Sequence, residues 1–109
     1  DDVTRAKADD ETARIASLDT HRAVRANAIR LLTNLSVERR RMLLSEQSVA
    51  LAREDLRVQD ARYREGATTQ LERLTSELAL VNAEQDAVTT RFDYAVARAA
   101  LEALAGRTL

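Results

Sequence analysis

A chain of 109 residues with no proline, two glycines, two tyrosines, one phenylalanine and 45% hydrophobic content has the composition of long helices. Its 17 basic and 18 acidic residues are interspersed and leave a net charge of −1, so no basic face points to nucleic acid and no acidic run to a disordered tail. The absence of cysteine excludes a disulfide framework and a thiolate metal site, and no apolar run approaches the roughly 18 residues of a bilayer-spanning helix.

The first predicted element is a long helix over residues 1–65. Its start, Asp1-Asp2, does not read as a signal peptide. Leu35, Met42, Val49, Leu56 and Tyr63 recur every seven positions, with Leu31 and Ala52 at the intermediate spacing, which is a coiled-coil seam. Val37, Leu44, Leu51 and Val58 form a second stripe two positions after each seam residue, roughly 200° round the helix. The remaining conspicuous residues read as solvated, with Arg39-Arg40-Arg41 either solvated or placed between helices of a tube. His21 has no metal-spaced partner, Asp9-Asp10-Glu11 is an acidic helix start, and Arg39-Arg40-Arg41 point in three directions at 100° steps.

A turn follows over residues 66–68. Gly66 can adopt the left-handed conformation that closes a helix C-terminus, and Thr69-Gln70-Leu71-Glu72 has the spacing of a capping box. The return helix is predicted over residues 69–105, with Gly106 ending it as Gly66 ends the first. Its seam is expected at Leu71, Leu78, Gln85, Phe92 and Ala99, joined by Leu74, Val81, Val88 and Ala95. Reversal at Gly66 then sets Tyr63 against Leu71, Leu56 against Leu78, Val49 against Gln85, Met42 against Phe92, and Leu35 against Ala99. Gln85 is expected as one polar layer fixing the register.

The arms differ in length, about 95 Å against about 55 Å at 1.5 Å per residue. Residues 1 to about 28 therefore overhang, still carrying Ile15, Leu18, Val24 and Ala28. The return helix has its own second stripe, Leu80, Ala87, Tyr94 and Leu101, joined by Ala83, Ala97 and Leu104. Helices with two opposed apolar edges are built to stand in a wall with a neighbour on either side. Leaving such edges wet forfeits about 1.5–3 kcal/mol per large side chain, so self-association is expected, as a dimer or bundle for the chain alone. The loose faces read as those of a segment excised from a larger assembly. The fold class is all-α, a long antiparallel coiled-coil hairpin with unequal arms, of the kind that forms part of an α-helical barrel.

Three stretches carry a family resemblance: Ala50-Leu51-Ala52-Arg53-Glu54-Asp55-Leu56 through Arg62-Tyr63-Arg64-Glu65-Gly66-Ala67, Gln70-Leu71-Glu72, and Arg91-Phe92-Asp93-Tyr94-Ala95-Val96-Ala97-Arg98-Ala99-Ala100-Leu101. Together, over about residues 30–106, they resemble the TolC-like outer-membrane efflux proteins. The resemblance implies a periplasmic hairpin of a trimeric channel, reaching the membrane only through a β-barrel outside this chain. It implies that Tyr63, Arg64, Glu65, Gly66, Ala67 and Thr68 form a tip that docks a periplasmic adaptor protein, working with an inner-membrane pump. The family more often has a larger apolar residue where Ala67 stands. By the same resemblance Arg62, Arg64 and Glu65 are candidates for gate-closing ion pairs between protomers. On the return helix Glu72, Asp86 and Asp93 share a polar strip that either lines a lumen or faces outward to solvent.

The implied function is passage of small molecules or proteins through the tube, with no cofactor and no chemistry in this segment. No combination of nucleophile, base and anchor and no phosphate-binding glycine loop is present to suggest an enzyme. Two other classes compete: the helical hairpin of a periplasmic adaptor protein, and a generic structural coiled coil. The first leads one to expect more symmetric arms, and the second does not account for the tip sequence or the opposed stripes.

Overall fold

The computed structural model describes residues 1–108 and consists of two helices, α1 (Asp2–Arg64) and α2 (Gln70–Thr108), folded into an antiparallel hairpin. The molecule is a rod measuring 96 × 20 × 13 Å. Its longest dimension is that of α1, whose 63 residues continue without a break because nothing in them removes a backbone donor or favours a left-handed residue.

The turn is a helix C-cap of the Schellman type. Gly66 has φ 75°, the Gly66 N–H donates to the Tyr63 carbonyl at 3.0 Å, and the Ala67 N–H donates to the Arg62 carbonyl at 2.8 Å. These are the two reversed bonds that satisfy the last carbonyls of a helix when glycine follows the cap. Arg62 Nη2 adds a bond to the Ala67 carbonyl at 3.3 Å. Thr69 caps α2, its Oγ1 accepting from the Glu72 N–H at 3.2 Å. Only this half of the expected capping box is seen, because the Glu72 carboxylate accepts from the neighbouring Thr68 hydroxyl.

The α1 seam lies where heptad spacing places it as far as Leu56, while Tyr63, expected to continue it, is exposed. From Ala28 onward the half-buried positions on α1 include Leu31, Leu35, Met42, Val49, Ala52 and Leu56, and the intermediate positions Glu38, Ser45 and Gln59 complete the line. Residues 1–26 are exposed throughout. They extend past the end of α2, so the apolar Ile15, Leu18 and Val24 have no second helix beside them.

The α2 seam is not the expected one. Ser76, Ala87, Thr90 and Ala97 are the buried residues, flanked by half-buried Leu80, Ala83, Tyr94, Leu101 and Leu104. The stripe expected inside, including Leu71, Leu78, Val88 and Phe92, faces out, with Leu71 74% and Phe92 67% exposed. The pairings of Tyr63 with Leu71, Leu56 with Leu78, Val49 with Gln85, Met42 with Phe92 and Leu35 with Ala99 are therefore overturned. Relative to that expectation α2 is turned by about two residues, roughly 200°. The physical reason is approach distance. Interaxial separation follows the side chains at the contact, and a stripe of Ser, Ala and Thr lets two helices close on each other where Leu and Phe hold them apart.

Two further expectations are corrected. Gln85 is exposed on the outward face and forms no layer of the seam. Gly106 lies inside α2, which runs on to Thr108, because its φ is not positive and the backbone stays in the right-handed helix.

Candidate interaction surfaces at the seam, the tip and the outward faces

Polar bonds that cross between the helices step outward from the tip in lockstep. Arg73 Nε lies 3.0 Å from Asp60 Oδ1, and Ser76 Oγ donates to Asp55 Oδ2 at 2.7 Å. Farther along, Arg53 meets Glu84 at 3.6 Å, Ser45 Oγ and Thr90 Oγ1 are 2.6 Å apart, and Arg91 meets Glu46 at 3.5 Å. The Ser45 and Thr90 hydroxyls also stand within bonding distance of the Met42 and Ala87 carbonyls, at 2.8 and 3.1 Å. Two hydroxyl hydrogens serve these three contacts, so one hydroxyl donates to its own helix and the other across the seam. The polar layers that hold register are thus Ser45 with Thr90 and Asp55 with Ser76. Sequence reading missed them because small hydroxyl side chains interrupt an apolar count without announcing a partner.

At the tip, Asp60 sits between two guanidinium groups, Arg64 Nη2 at 3.1 Å and Arg73 Nε at 3.0 Å. The Arg73 Nε–H is not aligned to hydrogen-bond its neighbour, so that contact is an ion pair by proximity. The Arg73 guanidinium also lies over the Tyr63 ring, 5.2 Å from its centroid, within cation–π range. Of the predicted tip residues, Tyr63, Arg64, Glu65, Gly66 and Ala67 are exposed and Thr68 is half-buried. Arg62 and Arg64, two of the candidate gate residues, bond within the hairpin, to the Ala67 carbonyl and to Asp60. Arg73 anchors this cluster from the return helix and was not singled out by the sequence, where it reads as one arginine among many.

The candidate lumen residues lie along one edge of α2. Glu72 and Asp86 are exposed and Asp93 is half-buried, all three on the same side of the seam. Asp86, Thr89 and Thr90 face Arg41, Ser45 and Ser48 across a shallow groove. On the other edge Glu46, Arg53, Glu84 and Arg91 rim a second groove. On α1, Glu54 is held below the ordinary carboxylate range by hydrogen bonds from Arg57 at 2.9 and 2.7 Å, and the same contact raises Arg57.

The outward faces are the largest apolar features. On α1, Val37, Leu44, Leu51 and Val58 are exposed, Leu51 to 73%. They form one apolar residue per heptad, set among Arg41, Ser48 and Asp55. On α2 the outward stripe holds two per heptad from Leu71 to Ala99, except that Gln85 leaves Val88 alone in its heptad. Among the described residues no helix is long and apolar enough to cross a membrane, and no group of three His, Cys, Asp or Glu stands together as a metal site. A scan of protein-family models, a search of the curated proteins and a search of the solved structures each find no match.

Proposed function

We propose that this hairpin is a periplasmic wall segment of a TolC-type outer-membrane channel. The observation that carries the reading is the pair of exposed apolar faces on a hairpin of unequal arms. Burying a leucine, valine or phenylalanine contributes about 1.5–3 kcal/mol, and a helix apolar on two opposite faces gains it only with helices on both sides. In this reading α1 and α2 are adjacent staves of a trimeric tube, and the overhang of α1 runs toward a β-barrel. The Tyr63–Thr68 tip meets the hairpin of an adaptor protein that links it to an inner-membrane pump. The segment is a conduit for small molecules or proteins, makes and breaks no bond, and binds no cofactor. Glu72, Asp86 and Asp93 supply an acidic strip to the lumen, and Arg62, Arg64 and Glu65 contribute to the closed state.

The test is where the tip resides and what touches it. With Ala67→Cys introduced into the protein in its own host, a membrane-impermeant thiol reagent should label the cysteine only once the outer membrane is permeabilised. A photo-crosslinker at the same position should capture a hairpin-bearing periplasmic protein. Labelling that requires rupture of the inner membrane would sink the proposal. For the gate, reversing the charges of Arg62 and Arg64 in the whole channel should raise closed-state conductance, and unchanged conductance refutes their role.

A further inference from the structure

The outward face of α2 is a coiled-coil seam, interrupted only by the polar Gln85, with no helix on it. Leu71, Leu78, Phe92 and Ala99, with Leu74, Val81, Val88 and Ala95, follow spacings of three and four over about four heptads when Gln85 is counted as the one polar position, the length at which such a pattern specifies a helical partner. The outward face of α1 is a poor match, since it offers one apolar residue per heptad and places Arg41, Ser48 and Asp55 where the second should be.

The seam is instead complementary to itself, read in reverse. Its N-terminal half is large, with Leu71, Leu74 and Leu78, and its C-terminal half ends in Ala95 and Ala99. Antiparallel pairing seats Leu78 on the partner's Ala95, Leu74 on the partner's Ala99 and Val81 on the partner's Phe92, small against large as interdigitated packing requires, while Gln85 meets the partner's Val88 beside the axis and Leu71 meets the partner's Glu102 at the margin. The flanking residues follow the same rule. The positions bordering this seam on one side are Glu77, Glu84, Arg91 and Arg98, acidic in the first half and basic in the second. Reversal brings Glu77 opposite the partner's Arg98 and Glu84 opposite the partner's Arg91, each twice by symmetry, and charges at such positions set orientation. A parallel pair stacks leucine on leucine and alanine on alanine and leaves those charges facing Asn82, Thr89 and Val96. The existing bonds of these side chains are exposed: Glu84 and Arg91 reach α1 at 3.6 and 3.5 Å, and Arg98 bonds Glu102 on its own helix at 3.0 Å.

We infer that two copies of this chain pair antiparallel through the outward faces of α2, with a two-fold axis between Asp86 and Ala87 and the two tips at opposite ends. The inference does not rest on the channel reading, in which neighbouring tips point the same way. It describes what the chain does when no other helices stand beside it.

Because the chain has no cysteine, single spin labels report the arrangement directly. Glu72→Cys, Asp86→Cys and Ala100→Cys share one face of α2 and differ only in distance from the proposed axis. Antiparallel pairing gives a label separation on the order of 20 Å at 86 that lengthens beyond about 40 Å at both 72 and 100. Equal separations at all three positions, or a monomer at the concentration of the measurement, overturn the inference. The charges supply a second arm. Glu77→Arg with Glu84→Arg should weaken self-pairing on the order of tenfold or more, and mixing with an Arg91→Glu, Arg98→Glu chain should restore it as a heterodimer. Failure of the mixture to pair while both chains stay helical likewise counts against it. Location of the tip in the cell leaves both results unchanged, so this inference and the channel reading fail separately.

Discussion

The two faces of α2 differ in the opposite sense to a simple hydrophobic rule. The face against α1 is built from Ser76, Ala87, Thr90 and Ala97, while the face turned to solvent carries Leu71, Leu78, Val88 and Phe92. A pair of helices can fully cover only small side chains: Ala97 and Ala87 are 3% and 5% exposed, and α1 contains no buried residue. Large side chains need a third helix before they are covered. The difference teaches that closeness of approach rather than apolar area decides the hairpin's internal contact, and that the larger apolar side chains of α2 are left uncovered by it.

The comparison breaks most visibly when the same substitution is made two residues apart. Ala97→Leu overfills the seam and should lower the stability of the hairpin by about 1–3 kcal/mol in thermal or urea unfolding followed by circular dichroism. Ala99→Leu, on the outward face, should leave that transition within about 0.5 kcal/mol in the monomer. Equal losses from the two would mean that α2 has no preferred face.

Next in size is the turn that sets which way α2 emerges. Nothing lies within 4 Å of a Cβ built on Gly66, so Gly66→Ala meets no clash, and its expected cost of about 1–2 kcal/mol is that of holding an L-residue at φ 75°. Gly106→Ala carries the opposite sign. The position is helical and open, and alanine there should stabilise by roughly 0.5 kcal/mol, visible as slower amide exchange in the last turn of α2.

A smaller effect sharpens the role of the polar layer. Ser45→Ala removes the hydroxyl that faces Thr90 and should cost about 0.5–1 kcal/mol. Ser45→Ala combined with Thr90→Val should recover much of that loss while loosening register, read as broadened distances between labels on α1 and α2. Register as sharp as in the parent would show that packing alone sets it.

The smallest effect lies on the exposed side of α1. The lowered pKa of Glu54 means that its bond to Arg57 contributes stability above the ordinary carboxylate range and loses it as the pH falls through the lowered value. Glu54→Gln should therefore differ from the parent at neutral pH and converge with it in acid, in unfolding curves recorded across that range. Both side chains are fully exposed, so the difference is small and salt-sensitive.

Much of this molecule is legible in its amino-acid sequence. Two helices, a reversal at Gly66, the cap at Thr69, the α1 seam and the unpaired first quarter all follow from where proline is absent, where glycine stands and how leucines recur. Each is local, or needs one periodicity. The face of α2 was not legible, because α2 carries two heptad stripes and either one keeps step with α1 around a hairpin. Matching heptad spacing along the rod is satisfied by both and discriminates neither. Arg73 and the Ser45–Thr90 layer were hidden for a related reason: their significance lies in a partner on the other helix.

The amino-acid sequence by itself determined the secondary structure, the position of the bend, the unequal arms and the presence of two apolar edges on each helix. These depend on backbone conformation and on spacing along one strand of chain. Only the tertiary structure decided which edge of α2 turns inward, that Gln85 faces solvent, and that Asp60 holds Arg64 and Arg73 together. Those outcomes depend on how closely two helix axes approach, a distance that the smallest side chains on the contact face determine and hydrophobic periodicity does not encode.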